Sequence, residues 1–243
     1  MPVAPPALPM SREDQKRAAA EAAVSRVKDG MVVGLGTGST AAYAIDALAL
    51  CVRNGTHILG IPTSERSAAQ AREGGISLTT LSASHSIDLT IDGADAIAPE
   101  SLDLIKGLGG ALLREKIVAA ASKRLLIVAD AAKVVDRLGA TTPVPVEVVP
   151  FGWETTAERI ARLGCKPMLR IDTLGQPFRT DGANMILDCE FGPIADAAAL
   201  DAAMSQIIGV VETGLFIGMA QEALVADETG VRSLERKMPG SAH

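Results

Sequence analysis

Aromatic side chains are scarce in this sequence of 243 residues. Phe, Tyr and Trp make up 2% of the chain, with one Trp, one Tyr and four Phe. Proteins that bind bases or sugar rings by stacking present several aromatic faces, so this composition argues against such binding. Basic residues are also in the minority, 23 Lys and Arg against 29 Asp and Glu, and no run of them forms a stripe for a polyanion. We therefore expect no nucleic-acid partner.

Cysteine and histidine are few and dispersed. The sequence contains three of each, and no spacing among them resembles a disulfide framework or a zinc site. These residues are Cys51, Cys165, Cys189, His57, His85 and His243. We predict reduced thiols in a cytoplasmic protein and no bound metal.

Long apolar runs are absent as well. No stretch has the length of uninterrupted apolar residues that crossing a bilayer needs, so we expect no membrane partner. Residues 1–10 are rich in Pro and Ala and lack the cationic start of a signal peptide. We predict that this segment is a disordered tail and that the chain is cytoplasmic.

The sequence does contain ample apolar material for a packed core, since hydrophobic residues make up 48% of it and charged residues 21%. Apolar runs typical of strands alternate with helical segments, beginning at Met31–Leu35 and including Leu102–Ile105 and Leu125–Ala129. This alternation predicts an α/β fold with a doubly wound, mostly parallel sheet and helices on both faces.

Both ends of this first region have a predicted element. Ser11 with Asp14 resembles a capping box that opens a helix running to about Gly30. At the other end of the chain, the segment from Leu215 onward is predicted to return to the first sheet. Residues 11–139 together with 213–243 are therefore predicted to form a doubly wound catalytic domain.

The order of elements changes after about Gly139. Residues 140–212 contain a predicted strand, helix, strand, strand, helix and strand. That order is the βαββαβ unit of ferredoxin-like folds. The sequence therefore predicts a second, smaller ferredoxin-like α+β domain at 140–212.

Charged residues cluster where the sequence changes from a predicted strand to loops. Asp92 and Asp95 follow the predicted strand Ile87–Ile91, so they lie at its carboxyl end, where open α/β sheets bind ligands. Lys106 follows shortly after, and Glu115 lies near the start of the next predicted helix. Carboxylates and an ammonium that converge on one crevice suit proton abstraction next to a carbonyl.

The same residues have a plainer interpretation. Asp-Gly is a common turn pair, and Arg114-Glu115-Lys116 is typical of a solvated helix face. Either piece alone would favour that interpretation, whereas their occurrence together at strand ends favours a catalytic site. Gly107, Gly109 and Gly110 support the second view because glycines let a loop approach a ligand closely.

A second motif, Gly36-Thr37-Gly38-Ser39-Thr40, lies between a predicted strand and a helix. It places backbone amides and hydroxyls at a helix N-terminus, which is an anion site. No lysine precedes Ser39 and no glycine lies three residues beyond Gly36, so the motif is neither a P-loop nor a dinucleotide fingerprint. A small phosphate monoester fits it better than a nucleotide; the alternative is a tight turn with a hydroxyl cap.

Two further segments follow predicted strands. Thr63 and Ser64 could add hydroxyls to the same crevice, although an N-cap is the simpler interpretation. Lys133 could reach a phosphate or a substrate hydroxyl, and an exposed loop lysine is an equal alternative.

Five segments of the sequence resemble ribose-5-phosphate isomerase type A. They are Gly36-Thr37-Gly38-Ser39-Thr40, Asp92-Gly93-Ala94-Asp95, Lys106–Gly109, Arg114-Glu115-Lys116 and Gly209-Val210-Val211-Glu212-Thr213-Gly214-Leu215-Phe216. The resemblance extends from Ser11 to about Arg236. It implies an isomerase that interconverts D-ribose 5-phosphate and D-ribulose 5-phosphate in the pentose phosphate pathway, without metal or organic cofactor. It also implies a homodimer or homotetramer and a sugar phosphate as the small-molecule partner.

The resemblance assigns roles by position. Glu115 corresponds to the catalytic base, and Asp92, Asp95 and Lys106 to its catalytic neighbours. The implied substrate-binding residues are Thr37, Gly38, Ser39, Thr40, Asp92, Gly93, Ala94, Asp95, Lys106, Gly107, Leu108, Gly109 and Lys133. Two positions depart from the family pattern: Ala96 replaces a usual glutamate and Leu108 a frequent glycine. Because Leu108 lacks the conformational freedom of glycine, we expect an altered loop geometry there.

Two other classes of function use similar folds. One is a different enzyme, such as an amino-sugar phosphate isomerase-deaminase or a CoA transferase with Glu115 as nucleophile. The other is a sugar-phosphate sensor of the kind found in repressors. A repressor needs a helix-turn-helix, whereas a single helix is predicted before Met31. A sensor also has no need for Glu115 beside Lys106.

Overall fold

A computed structural model describes residues 10–84 and 86–236, so the predicted tail before Met10, as well as His85 and His243, lies outside the described residues. The described residues form strands and α-helices that we number in chain order. The strands are β1 (Val32–Leu35), β2 (Leu59–Pro62), β3 (Ser77–Leu78), β4 (Leu89–Gly93), β5 (Ala96–Ile97), β6 (Leu104–Ile105), β7 (Leu125–Asp130), β8 (Val144–Val148), β9 (Lys166–Leu169), β10 (Met185–Glu190), β11 (Val210–Thr213), β12 (Leu215–Phe216), β13 (Glu222–Asp227) and β14 (Gly230–Glu235). The helices are α1 (Arg12–Val24), α2 (Ser39–Arg53), α3 (Glu65–Glu73), α4 (Leu112–Ala120), α5 (Trp153–Ala161) and α6 (Ala197–Ser205). None of these helices is long and apolar enough to cross a membrane.

The central sheet has seven strands in the order β14-β13-β7-β4-β1-β2-β3. All neighbouring pairs are parallel except β13 and β14, which form an antiparallel hairpin at one edge. The chain builds outward from β1 in one direction and from β4 in the other, so the order reverses between these two strands. This is the doubly wound arrangement that the alternating pattern predicts, and its switch point lies between β1 and β4.

Strand β7 explains why the sheet has helices on both faces. All six of its residues are buried. Leu126 and Val128 pack in the cluster formed with α1 and α2, whereas Leu125 and Ile127 pack on the opposite face with Phe216. A strand that is covered on both sides reads as a continuous apolar run instead of an alternating one.

A short three-stranded sheet, ordered β12-β6-β5, corrects one prediction. The strand predicted at Leu102–Ile105 is reduced to β6, and it pairs antiparallel with β5 and β12 instead of joining the central sheet. Leu102 has φ of 53° and cannot continue an extended strand. The small sheet places Lys106 directly after β6 and beside the switch point.

The chain between β8 and β11 forms an antiparallel four-stranded sheet in the order β11-β8-β10-β9, with α5 and α6 in the connections. The fourth strand therefore lies beside the first, and the third lies between the first and the second. This is the predicted ferredoxin-like topology, and it has its own apolar core around Val146, Ile160 and Leu187. The exact domain boundaries at 139/140 and 212/213 stay a prediction.

The two predictions at the chain ends have mixed outcomes. Helix α1 begins as the capping box predicts, because the Ser11 side chain accepts from the Asp14 backbone N–H. It ends at Val24 instead of Gly30. The backbone N–H groups of Arg26 and Val27 donate to the carbonyls three residues earlier, those of Ala23 and Val24, and not four residues earlier as in an α-helix. The predicted return to the central sheet is made by β13, while Leu215–Phe216 pairs with β6.

Candidate active site

The switch point brings the two predicted motifs into contact. One oxygen of Asp92, Oδ1, accepts from the backbone N–H of Thr37 at 3.1 Å and of Gly93 at 2.8 Å. Gly36 permits this approach, because a Cβ on it would lie 2.6 Å from the Cα of Asp92. The loops that follow β1 and β4 are therefore joined by a hydrogen bond and lie side by side.

Lys106 is the centre of the charged group. Its Nζ lies 3.0 Å from Oδ2 of Asp92 and 3.4 Å from Oε1 of Glu115. It also donates to the carbonyl of Gly93 at 2.6 Å, and it lies 5.4 Å from the ring centroid of Phe216. All three charged side chains are buried, with exposures of 2% for Lys106, 0% for Asp92 and 3% for Glu115.

Two buried carboxyls share this one ammonium, and their surroundings differ. Burial, reinforced by the charge of Asp92, raises the pKa of Glu115 to about 8, although Lys106 opposes the shift. Burial also raises the pKa of Asp92, against the opposing effects of Lys106 and two backbone N–H groups. Because Asp92 has the amide donors and the nearer ammonium, we assign the negative charge first to Asp92. Glu115 is then the carboxyl that exchanges a proton near neutral pH.

The same carboxyls keep Lys106 charged. Burial alone would lower the pKa of the ammonium, but Asp92 and Glu115 outweigh it and raise that pKa above its usual value. Lys106 therefore remains a fixed positive charge throughout the neutral range.

Glu115 lines an open cleft whose empty space, including the solvent at its mouth, is about 420 Å³. It lies in the first turn of α4, and its second oxygen, Oε2, is buried with no hydrogen-bond partner in the described part of the chain. A buried carboxylate oxygen without a donor can take a proton from a molecule in the cleft. The cleft is lined by Thr37, Gly38, Ser39, Thr40, Gly93, Ala94, Asp95, Lys106, Gly107, Gly109, Glu115 and Lys133.

Two predicted residues do not line the cleft. Asp92 lies behind Lys106 with no exposed surface, and it contacts three residues that line the cleft, Lys106, Thr37 and Gly93. The side chain of Leu108 is directed to the surface and 43% exposed, while its backbone N–H donates to Oδ2 of Asp95 at 2.9 Å.

Neither Ala96 nor Leu108, the two departures from the family pattern, has a left-handed backbone conformation. The left-handed conformations belong to Gly107, with φ of 107°, and Gly110, with φ of 82°, and Leu108 has no positive φ. Position 108 therefore does not need the conformational freedom of glycine, and the altered loop geometry that we expect there stays a prediction. Ala96 is buried in β5, opposite Ile105.

The opposite part of the cleft is the anion loop. Gly38 is the N-cap of α2 and has no side chain, so it makes no capping hydrogen bond at that helix terminus. Lys133 lies in the turn after β7, with Nζ 4.0 Å from Oδ1 of Asp95. Of the two interpretations of Lys133, the structure favours the one at the cleft over the solvated loop lysine.

Sequence reasoning predicted only part of a hydroxyl network beneath this loop. The hydroxyl of Thr37 lies 2.7 Å from that of Thr63, 2.8 Å from that of Ser64 and 3.0 Å from that of Ser67. Ser64 is also the N-cap of α3, as the simpler interpretation expected. The position of Thr63 and Ser64 after a neighbouring strand was the available signal, whereas Ser67 had none.

Metal-ligating side chains do not gather at this site. Across residues 10–84 and 86–236, no group of three or more His, Cys, Asp or Glu side chains could hold a metal ion.

Comparison with known proteins identifies the family. The sequence profile of ribose 5-phosphate isomerase A (phosphoriboisomerase A) matches residues 59–230. This chain belongs to the ribose-5-phosphate isomerase A family. It is 60% identical over 219 residues to the ribose-5-phosphate isomerase A of Gloeobacter violaceus, covering 90% of this chain and 95% of the relative. It is 55% identical over 221 residues to that of Gluconobacter oxydans, covering 90% and 96%.

Solved structures of ribose-5-phosphate isomerases have the same fold. The ribose 5-phosphate isomerase A of Methanocaldococcus jannaschii superposes with a TM-score of 0.89 at 38% identity, covering 93% of this chain and all of that one. A D-ribose-5-phosphate isomerase in complex with phospho-erythronic acid superposes with a TM-score of 0.91 at 37% identity and the same coverage. The doubly wound sheet with a ferredoxin-like unit is thus an architecture of the ribose-5-phosphate isomerase A family.

Proposed function

We propose that this chain is an isomerase that interconverts D-ribose 5-phosphate and D-ribulose 5-phosphate through a cis-enediolate, in the non-oxidative branch of the pentose phosphate pathway. One observation carries the proposal. Glu115, whose Oε2 has no hydrogen-bond partner among the described residues, lines a cleft that is also lined by Lys106 and by Gly38 at the uncapped N-terminus of α2. A base, a cation for a developing oxyanion and an anion site are what this reaction needs.

Membership of the family supports the substrate class. One structural relative was solved with phospho-erythronic acid, which carries a phosphate at one end and a carboxylate at the other. The cleft of this chain has two corresponding ends, the anion loop at Ser39 and the ammonium of Lys106. A phosphorylated open-chain sugar matches both.

Asp95 is our candidate for assisting ring opening. Both Asp92 and Asp95 follow β4, but Asp95 lines the cleft and Asp92 does not. A group that moves a proton on a sugar oxygen must reach it. We therefore assign this step to Asp95 and assign to Asp92 the holding of Lys106.

Glu115 then transfers the proton between carbons. It removes the proton from C2 of the open-chain aldehyde, and the C–H electron pair forms the C1–C2 double bond while O1 becomes an oxyanion. Lys106 stabilises this charge without a change in its own protonation. The proton on O2 passes to O1, Glu115 returns its proton to C1, and the carbonyl forms at C2. A pKa of about 8 suits a base that must both take and return a proton near neutral pH.

The phosphate end supplies binding free energy far from the reacting carbons. Amides and hydroxyls from Thr37 to Thr40, together with Lys133, surround the anion end of the cleft. Such remote contacts hold the open chain in the geometry of reaction.

The cellular setting is also part of the proposal: a cytoplasmic homodimer or homotetramer. The three cysteines are free thiols, in keeping with a reducing compartment. Large apolar side chains such as Phe151, Leu174 and Ile208 are 81% to 95% exposed in the single chain, and contact between subunits would cover such surface. Light scattering on the purified protein measures the assembly.

Proton NMR of the protein with ribose 5-phosphate in D₂O tests the function. We expect ribulose 5-phosphate to form and solvent deuterium to enter C1 of the ketose and C2 of the aldose. Formation of inorganic phosphate, or binding without any new sugar signal, would contradict an isomerase and favour a hydrolase or a sensor. A CoA transferase would instead give a covalent adduct on Glu115 with an acyl-CoA, which mass spectrometry detects.

A further inference from the structure

Arg170 connects the smaller sheet to the glycine loop of the cleft. Its Nη1 donates to the carbonyl of Gly107 at 2.8 Å and to that of Leu108 at 3.1 Å. Its Nε donates to Oδ2 of Asp188 at 2.9 Å, and its Nη2 donates to Oδ1 of the same carboxylate. The guanidinium thus forms a bidentate ion pair with Asp188 on one side and donates hydrogen bonds to two consecutive carbonyls on the other.

The smaller sheet fixes the position of this guanidinium. Arg170 follows β9, and its backbone N–H donates to Ile186 on β10, next to the pairing that carries Asp188. The ring of Phe178 lies 5.8 Å from the guanidinium carbon, and its tip occupies the place where a Cβ on Gly110 would be. The side chain of Arg170 is only 12% exposed, so its geometry is set by packing and not by solvent.

The hydrogen bonds from Arg170 to the two carbonyls also determine where the N–H groups of the glycine loop point. In a trans peptide plane the C=O of one residue and the N–H of the next point in opposite directions. The Gly107 carbonyl accepts a hydrogen bond from Arg170, and the Leu108 N–H of the same peptide plane donates to Oδ2 of Asp95. The Leu108 carbonyl also meets Arg170, so the Gly109 N–H points away from it. Gly109 lines the cleft, and its N–H has no hydrogen-bond partner within residues 10–84 and 86–236.

We propose that Arg170 is a positioning residue of the isomerase: it orients the two peptide planes so that one N–H holds Asp95 and the next is free to bind the substrate. The positive charge also draws electron density toward both carbonyls and strengthens both N–H donors. This inference rests on the proposed function. It gives the smaller domain a part in catalysis, because that domain supplies the group that fixes the loop.

The test compares Arg170→Lys and Arg170→Ala with Arg162→Lys, an exposed arginine of the same domain, in the full-length protein. A lysine has one ammonium and cannot meet Asp188 and two carbonyls in a planar fork. We expect kcat/KM for ribose 5-phosphate to fall about 10- to 100-fold in Arg170→Lys, since a displaced loop misplaces the reacting groups. The affinity for phospho-erythronic acid should weaken in parallel, and Arg162→Lys should match the wild type in both.

Chemical rescue separates positioning from a purely structural role. Millimolar guanidinium ion should restore part of the activity of Arg170→Ala by occupying the same space, whereas ammonium at equal ionic strength should not. Lower thermal stability with unchanged kcat/KM in Arg170→Lys, or no rescue of a folded Arg170→Ala, would overturn the inference. A wild-type protein without isomerase activity would instead refute the proposed function.

Discussion

Two glutamates of this chain are almost equally buried and have opposite surroundings. Glu115 is 3% exposed and Glu147 is 1% exposed. Glu147 lies on β8 of the smaller sheet, where its Oε1 accepts from the Thr180 hydroxyl at 2.9 Å and from the Asn184 amide at 2.9 Å. Glu115 meets only the ammonium of Lys106, at 3.4 Å, and its other oxygen has no partner among the described residues.

Burial alone does not distinguish these two carboxylates, whereas their hydrogen-bond partners do. Burial raises the pKa of Glu147 as it raises that of Glu115, but neutral hydrogen-bond donors oppose the shift at Glu147. Donors that are committed to a carboxylate fix its position and its charge state. A carboxylate with a cation on one side and an open cleft on the other can exchange its proton with a ligand. We therefore interpret Glu147 as structural and Glu115 as catalytic.

The largest expected effect separates the two residues by activity. Glutamine keeps the shape of glutamate but cannot accept a carbon-bound proton, so Glu115→Gln should lower kcat by about 10²- to 10⁴-fold. Glu147→Gln should leave kcat within about twofold, because the amide oxygen can still accept from Thr180 and Asn184. Steady-state assays with ribose 5-phosphate measure both. If Glu115→Gln kept a large fraction of wild-type turnover, the base would have to be another group, and Asp95 is the next to test.

The pH dependence of kcat/KM should reflect the titration of Glu115 and should not depend on Glu147. Below the Glu115 pKa of about 8, kcat/KM should rise about tenfold per pH unit and then level off, since the base must be deprotonated. Asp92→Asn should move the rise to lower pH, because the charge of Asp92 contributes to the raised pKa of Glu115. Glu147→Gln should keep the wild-type profile. A profile that stays the same in Asp92→Asn would show that another group sets it.

For stability, in contrast to activity, we expect substitution of Glu147 to have the larger effect. Glu147→Ala leaves the donors of Thr180 and Asn184 without an acceptor, which should lower the free energy of unfolding by about 1–3 kcal/mol. Glu147→Gln is the matched control and should lose less. Urea unfolding followed by circular dichroism measures both variants, and an unchanged midpoint in Glu147→Ala would mean that water replaces the carboxylate.

A smaller effect is the pH dependence of stability that comes from Glu115. Its pKa in the folded protein, about 8, exceeds its ordinary value of 4.5. Its stabilising contribution is therefore complete below the unfolded pKa and is lost as pH rises through the folded pKa. Wild type should accordingly lose stability relative to Glu115→Gln between pH 5 and about 8. Urea titrations of both proteins at the two pH values check the sign. If the difference in unfolding free energy between wild type and Glu115→Gln is the same at both pH values, the pKa of Glu115 is not raised in the folded protein.

The smallest expected effect is none at all, on removal of metal. Neither glutamate belongs to a group of side chains that could hold a metal ion within the described ranges. Exhaustive treatment with EDTA should leave turnover unchanged. Loss of activity that a divalent ion restores would contradict a mechanism based on Glu115 and Lys106 alone.

Much of the site could be predicted because its signals are local. The glycine turn after β1, the paired aspartates after β4 and the glycine loop before α4 each follow from a few neighbouring residues. Strand ends of a parallel sheet meet at one edge, so their convergence was also predictable. The partners of β6, the edge hairpin of β13 and β14 and the end of α1 were not, because pairing between short strands depends on packing with distant segments.

The sequence by itself determined the alternation of strands and helices, the ferredoxin-like order of the smaller unit and the residue types that face the cleft. Only the tertiary structure decided which carboxyls share Lys106, and that Arg170 reaches the glycine loop from 62 residues away. It also decided which of the two buried glutamates has an oxygen without a partner among the described residues. The physical reason is that periodicity and turn conformation depend on adjacent residues. Desolvation and hydrogen-bond satisfaction depend instead on which distant segments pack together.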